Sequence, residues 1–368
     1  MNSNDPIHQL VHTLSYGDAI SGEVLALQRA CREMGRESEV YAINVHPKLK
    51  QQARIYTELS AEFSGRLILH YSLGSPLNDL YRNLNSAHRT LIYHNITPSR
   101  WFEGINPRIV QDIERGRREL PELCSVSDSL ISDSQFNAGE LRALGFDSDV
   151  LELPLDPERW NMKSNDGIAA LLRGDSCKHI VHVGRFAPNK RIEDIIKAFY
   201  FMHHHIDRRS KLWLIGIDID TEIYSFALKR LVYELSLDDS VNFISTFSDS
   251  ELKALYENAT LYICLSEHEG FCVPLVEAMH FGLPVIAYAS SAVPGTLGTG
   301  GLLISEKHPA RLAELMNIAC SDQQLRIRLI EAGRARVGQL SFDKFAEKFR
   351  EIITRPSGTG AAPLRQAR

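Results

Sequence analysis

Little in this chain points outward. Its six cysteines, Cys31, Cys124, Cys177, Cys264, Cys272 and Cys320, include no C-x-x-C spacing, and no apolar h-region follows the polar start MNSNDP. Both features fit a reduced, cytoplasmic setting. No run approaches the apolar length needed to span a bilayer, which restricts any membrane association to a peripheral one. Positive charge is in deficit: 41 Lys and Arg against 46 Asp and Glu give a net charge of −5. That balance argues against an extended electrostatic footprint for nucleic acid and for small or local partners. The chain shows no internal repeat and no long low-complexity tract.

What is present is a large apolar fraction in a regular rhythm. With 368 residues, 44% of them hydrophobic, the chain can bury two sizeable cores. In the first half, strand-like runs at Ile7–Thr13, Glu39–Ile43, Leu67–Tyr71, Thr90–Tyr93, Leu130–Ser132 and Val150–Leu153 alternate with helical segments near Glu23–Met34 and Pro107–Leu123. Pro154-Leu155-Asp156-Pro157 interrupts regular structure, and a second βα series follows: His179–Val183, Lys211–Ile215, Val241–Ile244, Ala259–Leu265 and Val285–Tyr288. The expectation is an α/β fold of two doubly wound, Rossmann-like domains facing a cleft, residues 1–156 and 157–340. A helix over 341–354 would cross back to the first domain, and 355–368 would be a disordered tail. Ligands of such sheets bind beyond the carboxyl ends of the strands.

Glu267–Gly301, EHEGFCVPLVEAMHFGLPVIAYASSAVPGTLGTGG, is the most informative stretch. Gly270 allows a turn with close backbone approach, Pro274 opens a helix, and Gly282 stops it. Glu269 then lies in the loop before the helix and Glu277 about one turn inside it. Carboxylates accept hydrogen bonds and sugar hydroxyls donate them, while the helix start can face an anion. Taken singly, either Glu is as well explained by the helix macrodipole. Cys272, with no His or Asp placed beside it by sequence, reads as a small packing residue. In HIVHVGRFAPNKRIEDIIKAF, Arg185 and Lys190 flank a strand end and could reach one anion; exposed cations at a helix start are otherwise simply solvated.

The spacing Glu-Gly-Phe-(x)-x-Pro-(x2)-Glu-Ala-Met followed by Gly-x-Pro-Val-Ile-Ala closely resembles the E-x7-E signature of the retaining glycosyltransferases of family 4, which have the GT-B fold. The resemblance runs from the first Gly loop to about Ile353. It implies a donor site for a UDP- or GDP-hexose, with Glu277 on the ribose, Arg185 and Lys190 on the diphosphate as in the family's G-R-x(4)-K element, and Glu269 with the Gly270, Phe271 and Cys272 backbone on the sugar hydroxyls. Thr246 lies in what looks like the base-binding turn, where Ser248 or Asp249 would also serve as an ordinary helix cap. Gly17, in the loop Leu14–Glu23, resembles the family's first glycine loop with one glycine where many members have two or three, and the resemblance implies that it contacts the donor. His94 in IYHNITPSRWF resembles the Y-H-N-I-T-P element of a bacterial branch and would contact donor or acceptor. Pro294-Gly295 stands where many members carry Pro-Glu.

The implied activity is transfer of a hexose, with retained anomeric configuration, to a hydroxyl of a glycan or lipid-linked acceptor in bacterial cell-surface polysaccharide or lipopolysaccharide synthesis. The implied catalytic set is Glu269, Arg185, Lys190 and His94, with no metal and no cofactor beyond the nucleotide sugar. Asp218-Ile-Asp220 and Asp147-Ser-Asp149 match a metal-binding D-x-D only as short patterns, and His203-His204-His205 are adjacent helix positions that do not share a face. Arg115, Arg117 and Arg118 form a basic helix face suited to water or to a membrane surface. Two alternatives stand beside the transferase: a GT-B-fold sugar-nucleotide epimerase, and a non-catalytic nucleotide-sugar-binding subunit.

Overall fold

The computed structural model describes residues 5–355, and the tail expected to be disordered lies, from residue 356 on, outside them. The chain divides into two compact units. One takes residues up to Ser99, Arg108–Asp156 and the chain from Leu340; the other takes Arg100–Pro107 and Pro157–Gln339.

In the first unit, runs of β-branched and aliphatic residues form seven strands: β1 Ile7–Leu14, β2 Val40–Val45, β3 Arg54–Ile55, β4 Arg66–Tyr71, β5 His88–Tyr93, β6 Ser129–Ser132 and β7 Asp149–Val150. All pair in parallel in the order β3-β2-β1-β4-β5-β6-β7. A parallel sheet is covered on both faces, so its inner strands read as nearly continuous apolar runs. Every residue of β4 is buried. Ile7, Ile68, Ile92 and Ile131 pack with Leu27 and Ala30 of the helix Ala19–Glu33 and with Phe345, Phe349 and Ile353 of the last helix, Phe342–Thr354. Arg66, buried in this layer, donates to the Ile353 carbonyl at 3.2 Å, fastening that helix to the sheet.

The second unit repeats the plan with β8 Lys178–Val183, β9 Ser210–Ile215, β10 Val241–Ile244, β11 Leu261–Cys264, β12 Val285–Tyr288 and β13 Leu302–Ile304, in the order β10-β9-β8-β11-β12-β13. Ile180, Leu212, Leu214, Leu261, Ile263 and Ile286 from these strands meet Ile195, Ile196 and Phe199 of the helix Ile192–Phe201. Each unit therefore carries the doubly wound α/β arrangement expected from the alternation. Its strand order reverses once, between β1 and β4 in one sheet and between β8 and β11 in the other.

Three local differences have physical causes. The two-residue edge strand β3 and the three-residue edge strand β13 are too short to leave an alternation in the sequence. Val150–Leu153 pairs only as far as Val150; beyond it Leu155 turns to the last segment, its N–H donating to the Leu340 carbonyl at 2.9 Å. His203–His205 lie on one turn of π-helix, Met202–Ile206, rather than on a regular α-helical end. Among the described residues no helix is long and apolar enough to cross a membrane.

Candidate functional site

The reversal point of the second sheet is built from two loops. Strand β8 runs into Gly184-Arg185, a short turn over Pro188–Lys190 and then the helix Ile192–Phe201, entered through Arg191 at a left-handed φ of 52°. Strand β11 runs into the motif loop and then the helix Val273–His280, whose second residue is Pro274 and whose end is marked by Gly282 at φ 71°. The two loops are stitched together: Glu267 N–H donates to the Asn189 carbonyl at 2.8 Å, and Asn189 Nδ2 donates to the His268 carbonyl at 3.0 Å. Serines and a threonine from the β12 side hold the rest. Ser291 Oγ accepts from Glu269 N–H at 2.7 Å, Ser290 Oγ donates to the Ser266 carbonyl at 2.6 Å, and Thr296 Oγ1 donates to the Phe271 carbonyl at 2.5 Å.

This stitching brings Lys190 and Glu269 into a two-pronged ion pair, Lys190 Nζ donating to both carboxylate oxygens at 2.8 and 2.7 Å. Burial would raise the Glu269 carboxyl and lower the Lys190 ammonium, but each outweighs that effect in the other. Glu269 is held below the ordinary carboxylate range and Lys190 above its own, so both stay charged. At Gly216, just past β9, a Cβ would fall 1.9 Å from the Gly184 carbonyl oxygen, so the two strand ends meet only because that residue is glycine.

Arg185 turns elsewhere, its Nη2 donating to the Ile219 carbonyl at 2.7 Å. The structure therefore does not bring Arg185 and Lys190 onto one protein acceptor. Glu277 is buried with two partners: Arg159 Nη1 donates to Oε1 at 2.7 Å and Tyr256 OH donates to Oε2 at 2.9 Å. Arg159 also bridges to Asp249 Oδ1 at 2.9 Å. Burial pushes the Glu277 carboxyl up, and Arg159 offsets this only in part. A carboxylate has about four acceptor positions, so each oxygen keeps capacity for a further donor. Gly270 is half-buried, Phe271 and Cys272 are buried, and Thr246 is exposed at the end of β10. Ser248 takes the capping role, in a capping box with Glu251 that starts the helix Asp249–Asn258.

Sequence reasoning missed His182, two residues before Gly184 and fully buried. Its Nδ1 lies 2.9 Å from the Ile263 carbonyl, which fixes the proton there, and its Nε2 has no partner among the described residues. Burial pushes this imidazole down to about 4, so it is neutral at pH 7 and presents Nε2 as an acceptor. Arg159 and Tyr256 were missed as well. No short motif marks residues that reach a site from distant parts of the chain.

In the first unit, Gly17 lies exposed in the turn after β1, at φ 80°. His94 follows β5 and is buried in a cluster that the sequence did not announce. His94 Nε2 and His70 Nδ1 are 2.9 Å apart, His70 Nε2 meets Gln9 Oε1 at 2.9 Å, and His94 Nδ1 lies 3.3 Å from Asp133 Oδ2 and 3.4 Å from Glu23 Oε2. Asn137 donates to the other Asp133 oxygen. Both Glu23 oxygens accept no hydrogen bond among the described residues, and burial pushes that carboxyl up to about 8. Burial would lower His94, but Glu23 and Asp133 outweigh it and hold the imidazole above its ordinary value; His70 is held well below by burial.

Two sets of groups bring ligand atoms within 4.8 Å of one another, Glu23, His70 and His94 in the first unit and Cys264, Glu269 and Cys272 in the second. In each, the protein already uses a ligand atom. His70 Nδ1 faces His94, and both Glu269 oxygens face Lys190.

Residues 168–336 match the family described as glycosyl transferases group 1. The MMP alpha-(1->4)-mannosyltransferase of Mycolicibacterium hassiacum is 37% identical over 248 residues, 64% of this chain and 53% of that protein. The chain spans about half the length of this relative, and 36% and 55% of two others that it matches. Among solved structures, Anabaena HepE in complex with UDP-glucose superposes with a TM-score of 0.77 at 17% identity, covering 95% of this chain and all of that one. WaaG, a glycosyltransferase involved in lipopolysaccharide biosynthesis, gives 0.70 at 14% over 95% of this chain. At these identities the likeness is one of fold, and the fold is the GT-B type of those proteins, as the motif resemblance implied.

Proposed function

We propose that this protein is a retaining glycosyltransferase that moves a hexose from a UDP- or GDP-sugar to a hydroxyl of a glycan or lipid-linked acceptor in the synthesis of a cell-surface polysaccharide. The observation that carries the reading is the buried Lys190–Glu269 pair on two stitched loops at the point where the second sheet reverses. Such a point is where open α/β sheets take their ligands. The group 1 match over the same stretch, the mannosyl transfer in the relative's name and the UDP-glucose held by HepE support the same reading.

In this reading the second unit holds the donor. Glu277 takes the ribose hydroxyls with the acceptor capacity that Arg159 and Tyr256 leave, and Thr246 lies by the base. Glu269, aligned by Ser291 and charged by Lys190, takes hexose hydroxyls together with the backbone of Gly270, Phe271 and Cys272. Arg185 and Lys190 offset the charge that grows on the diphosphate as the glycosidic bond breaks. In many enzymes preorganised charges of this kind lower the barrier more than any other single effect. The acceptor hydroxyl attacks from the face the diphosphate leaves, giving its proton to the departing phosphate. Retention follows without a protein nucleophile or a metal ion. The first unit takes the acceptor, with His94 held as a positioning group by Glu23, His70 and Asp133.

Proton NMR of the products tests this. Incubation with UDP-glucose or GDP-mannose and a panel of saccharide and lipid-linked acceptors should yield a new α-linked sugar from an α-configured donor. A converted sugar nucleotide formed from donor alone would identify an epimerase. Donor binding without turnover on any acceptor would favour a binding subunit.

A further inference from the structure

The motif loop begins and ends with a thiol. Cys264 closes β11 and Cys272 caps the following helix, and their sulfurs lie 3.9 Å apart, both buried, at 1% and 8% exposure. Cys264 Sγ also lies 3.3 Å from Ser266 Oγ. Cys272 holds a left-handed φ of 81°, a conformation that a residue with a Cβ adopts only at a cost of about 1–2 kcal/mol. Glu269 is between the two thiols in the chain, and its carboxylate lies within 4.8 Å of both sulfurs. Packing alone needs neither a second sulfur here nor a strained one.

We propose that Cys264 and Cys272 are a modification site, a thiol pair that hydrogen peroxide converts to a disulfide, and that the bond displaces the loop carrying Glu269. The chemistry balances. The Cys264 sulfur attacks one peroxide oxygen; the S–O bond forms, the O–O bond breaks, and the second oxygen leaves with the thiol proton as water. Cys272 sulfur then attacks the resulting sulfenic acid; the S–S bond forms, the S–O bond breaks, and a second water leaves with the Cys272 proton. Two thiols are oxidised by two electrons and the peroxide is reduced to two waters. The Cys272 S–H, donating to Cys264 Sγ, favours the thiolate at Cys264 against burial, which makes Cys264 the attacking group and Cys272 the resolving one.

The consequence is geometric. A disulfide requires about 2.05 Å between sulfurs, so the two sulfurs, 3.9 Å apart, must draw together by nearly 2 Å, through side-chain rotation and movement of the loop that joins them. The Glu269 backbone is pinned by Ser291, and its carboxylate is pinned by Lys190. The strain of closure therefore falls on the pair that the functional reading places on the donor. The effect on binding rests on that reading; formation of the bond does not.

The test uses the full chain, treated with hydrogen peroxide, alkylated and digested for mass spectrometry, with UDP-glucose and GDP-mannose binding measured before and after. The expected result is one linked pair of peptides, Cys264 with Cys272, lighter by two hydrogens and restored by dithiothreitol. Affinity for the bound nucleotide sugar should fall at least tenfold on oxidation. Cys264→Ser should show neither change. Cys272→Gly, which removes the thiol and whose glycine suits the left-handed backbone in return for the lost packing, should likewise be insensitive to peroxide. Free thiols at both positions while the half-buried Cys177 oxidises would overturn the proposal, as would equal affinity of the linked and reduced forms. If the reduced protein binds no nucleotide sugar, the donor-site reading fails. Hydrogen exchange across residues 264–273 in the linked protein then decides the proposal: faster exchange supports it, and unchanged exchange overturns it.

Discussion

Replacing Lys190 with Met should cost the second unit about 3–5 kcal/mol, the usual consequence of stranding one member of a buried ion pair. The lysine donates to both Glu269 oxygens at 2.8 and 2.7 Å, and both side chains are mostly shielded from water. Met keeps the stem's volume, so the loss is electrostatic. For a unit of this size each kcal/mol moves the melting temperature by roughly 2–4 °C, which places the expected fall at about 6–20 °C. Both partners also make the loss depend on pH. Glu269 is depressed in the folded state, so its contribution is present above the ordinary 4.5 and is lost as pH falls through its lowered value. Lys190 is raised, so its contribution is present below the ordinary 10.5 and is lost as pH rises through its raised value. The gap between wild type and Lys190→Met should therefore be widest near neutrality and should narrow by pH 4, where the orphaned carboxyl takes up a proton at less cost. The double variant Lys190→Met/Glu269→Leu should recover most of the loss, since neither charge is then buried alone. Thermal unfolding of wild type, the two single variants and the double variant at pH 7 and pH 4 checks this. A Lys190→Met variant that loses less than about 1 kcal/mol, or a double variant that loses the sum of the two singles, would refute the reasoning.

Further outcomes follow from the same geometry. Glu23 is raised to about 8 when folded, so its contribution is full below 4.5 and is lost as pH rises through 8; His94, also raised, adds in the same direction. His70, held well below its ordinary value, acts in the opposite direction below 6.5, so the effect is read as a difference: relative to Glu23→Gln, wild type should lose stability between pH 5 and 8 in chemical denaturation. Gly216→Ala would drive a methyl into the Gly184 carbonyl and should destabilise by about 1–3 kcal/mol or more, read from the denaturation midpoint. Arg185→Ala, which removes a hydrogen bond to the carbonyl of the exposed Ile219, should leave melting unchanged while lowering kcat by roughly 10²–10³.

Much of this was legible in the residues because parallel sheets bury both faces. Leu261–Cys264 and Val285–Tyr288 announce themselves as apolar runs, and the Pro-Gly punctuation of the Glu267–Gly301 stretch fixes a strand, a loop and a helix in order. The partners were not legible. Nothing near Glu277 in sequence predicts Arg159 or Tyr256, which arrive from residues 118 and 21 positions away. Nor does a Glu in the early turns of an amphipathic helix reveal that Glu23 lies against His94, 3.4 Å from its Nδ1. The spacing of Arg185 and Lys190 along one loop likewise carries no sign of their protein partners, a backbone carbonyl for one and a buried carboxylate for the other. Such side-chain choices depend on which strands become neighbours, and local periodicity carries no record of that.

The most direct test of a donor site at the β8–β11 reversal is binding of nucleotide sugars, without added metal, to wild type and Glu277→Gln, followed by thermal shift and calorimetry. Selective stabilisation by one UDP- or GDP-hexose, weakened at least tenfold in Glu277→Gln while the variant stays folded, is the predicted result. A folded wild type that responds to none of them, or a variant that binds as tightly as wild type, would contradict the account.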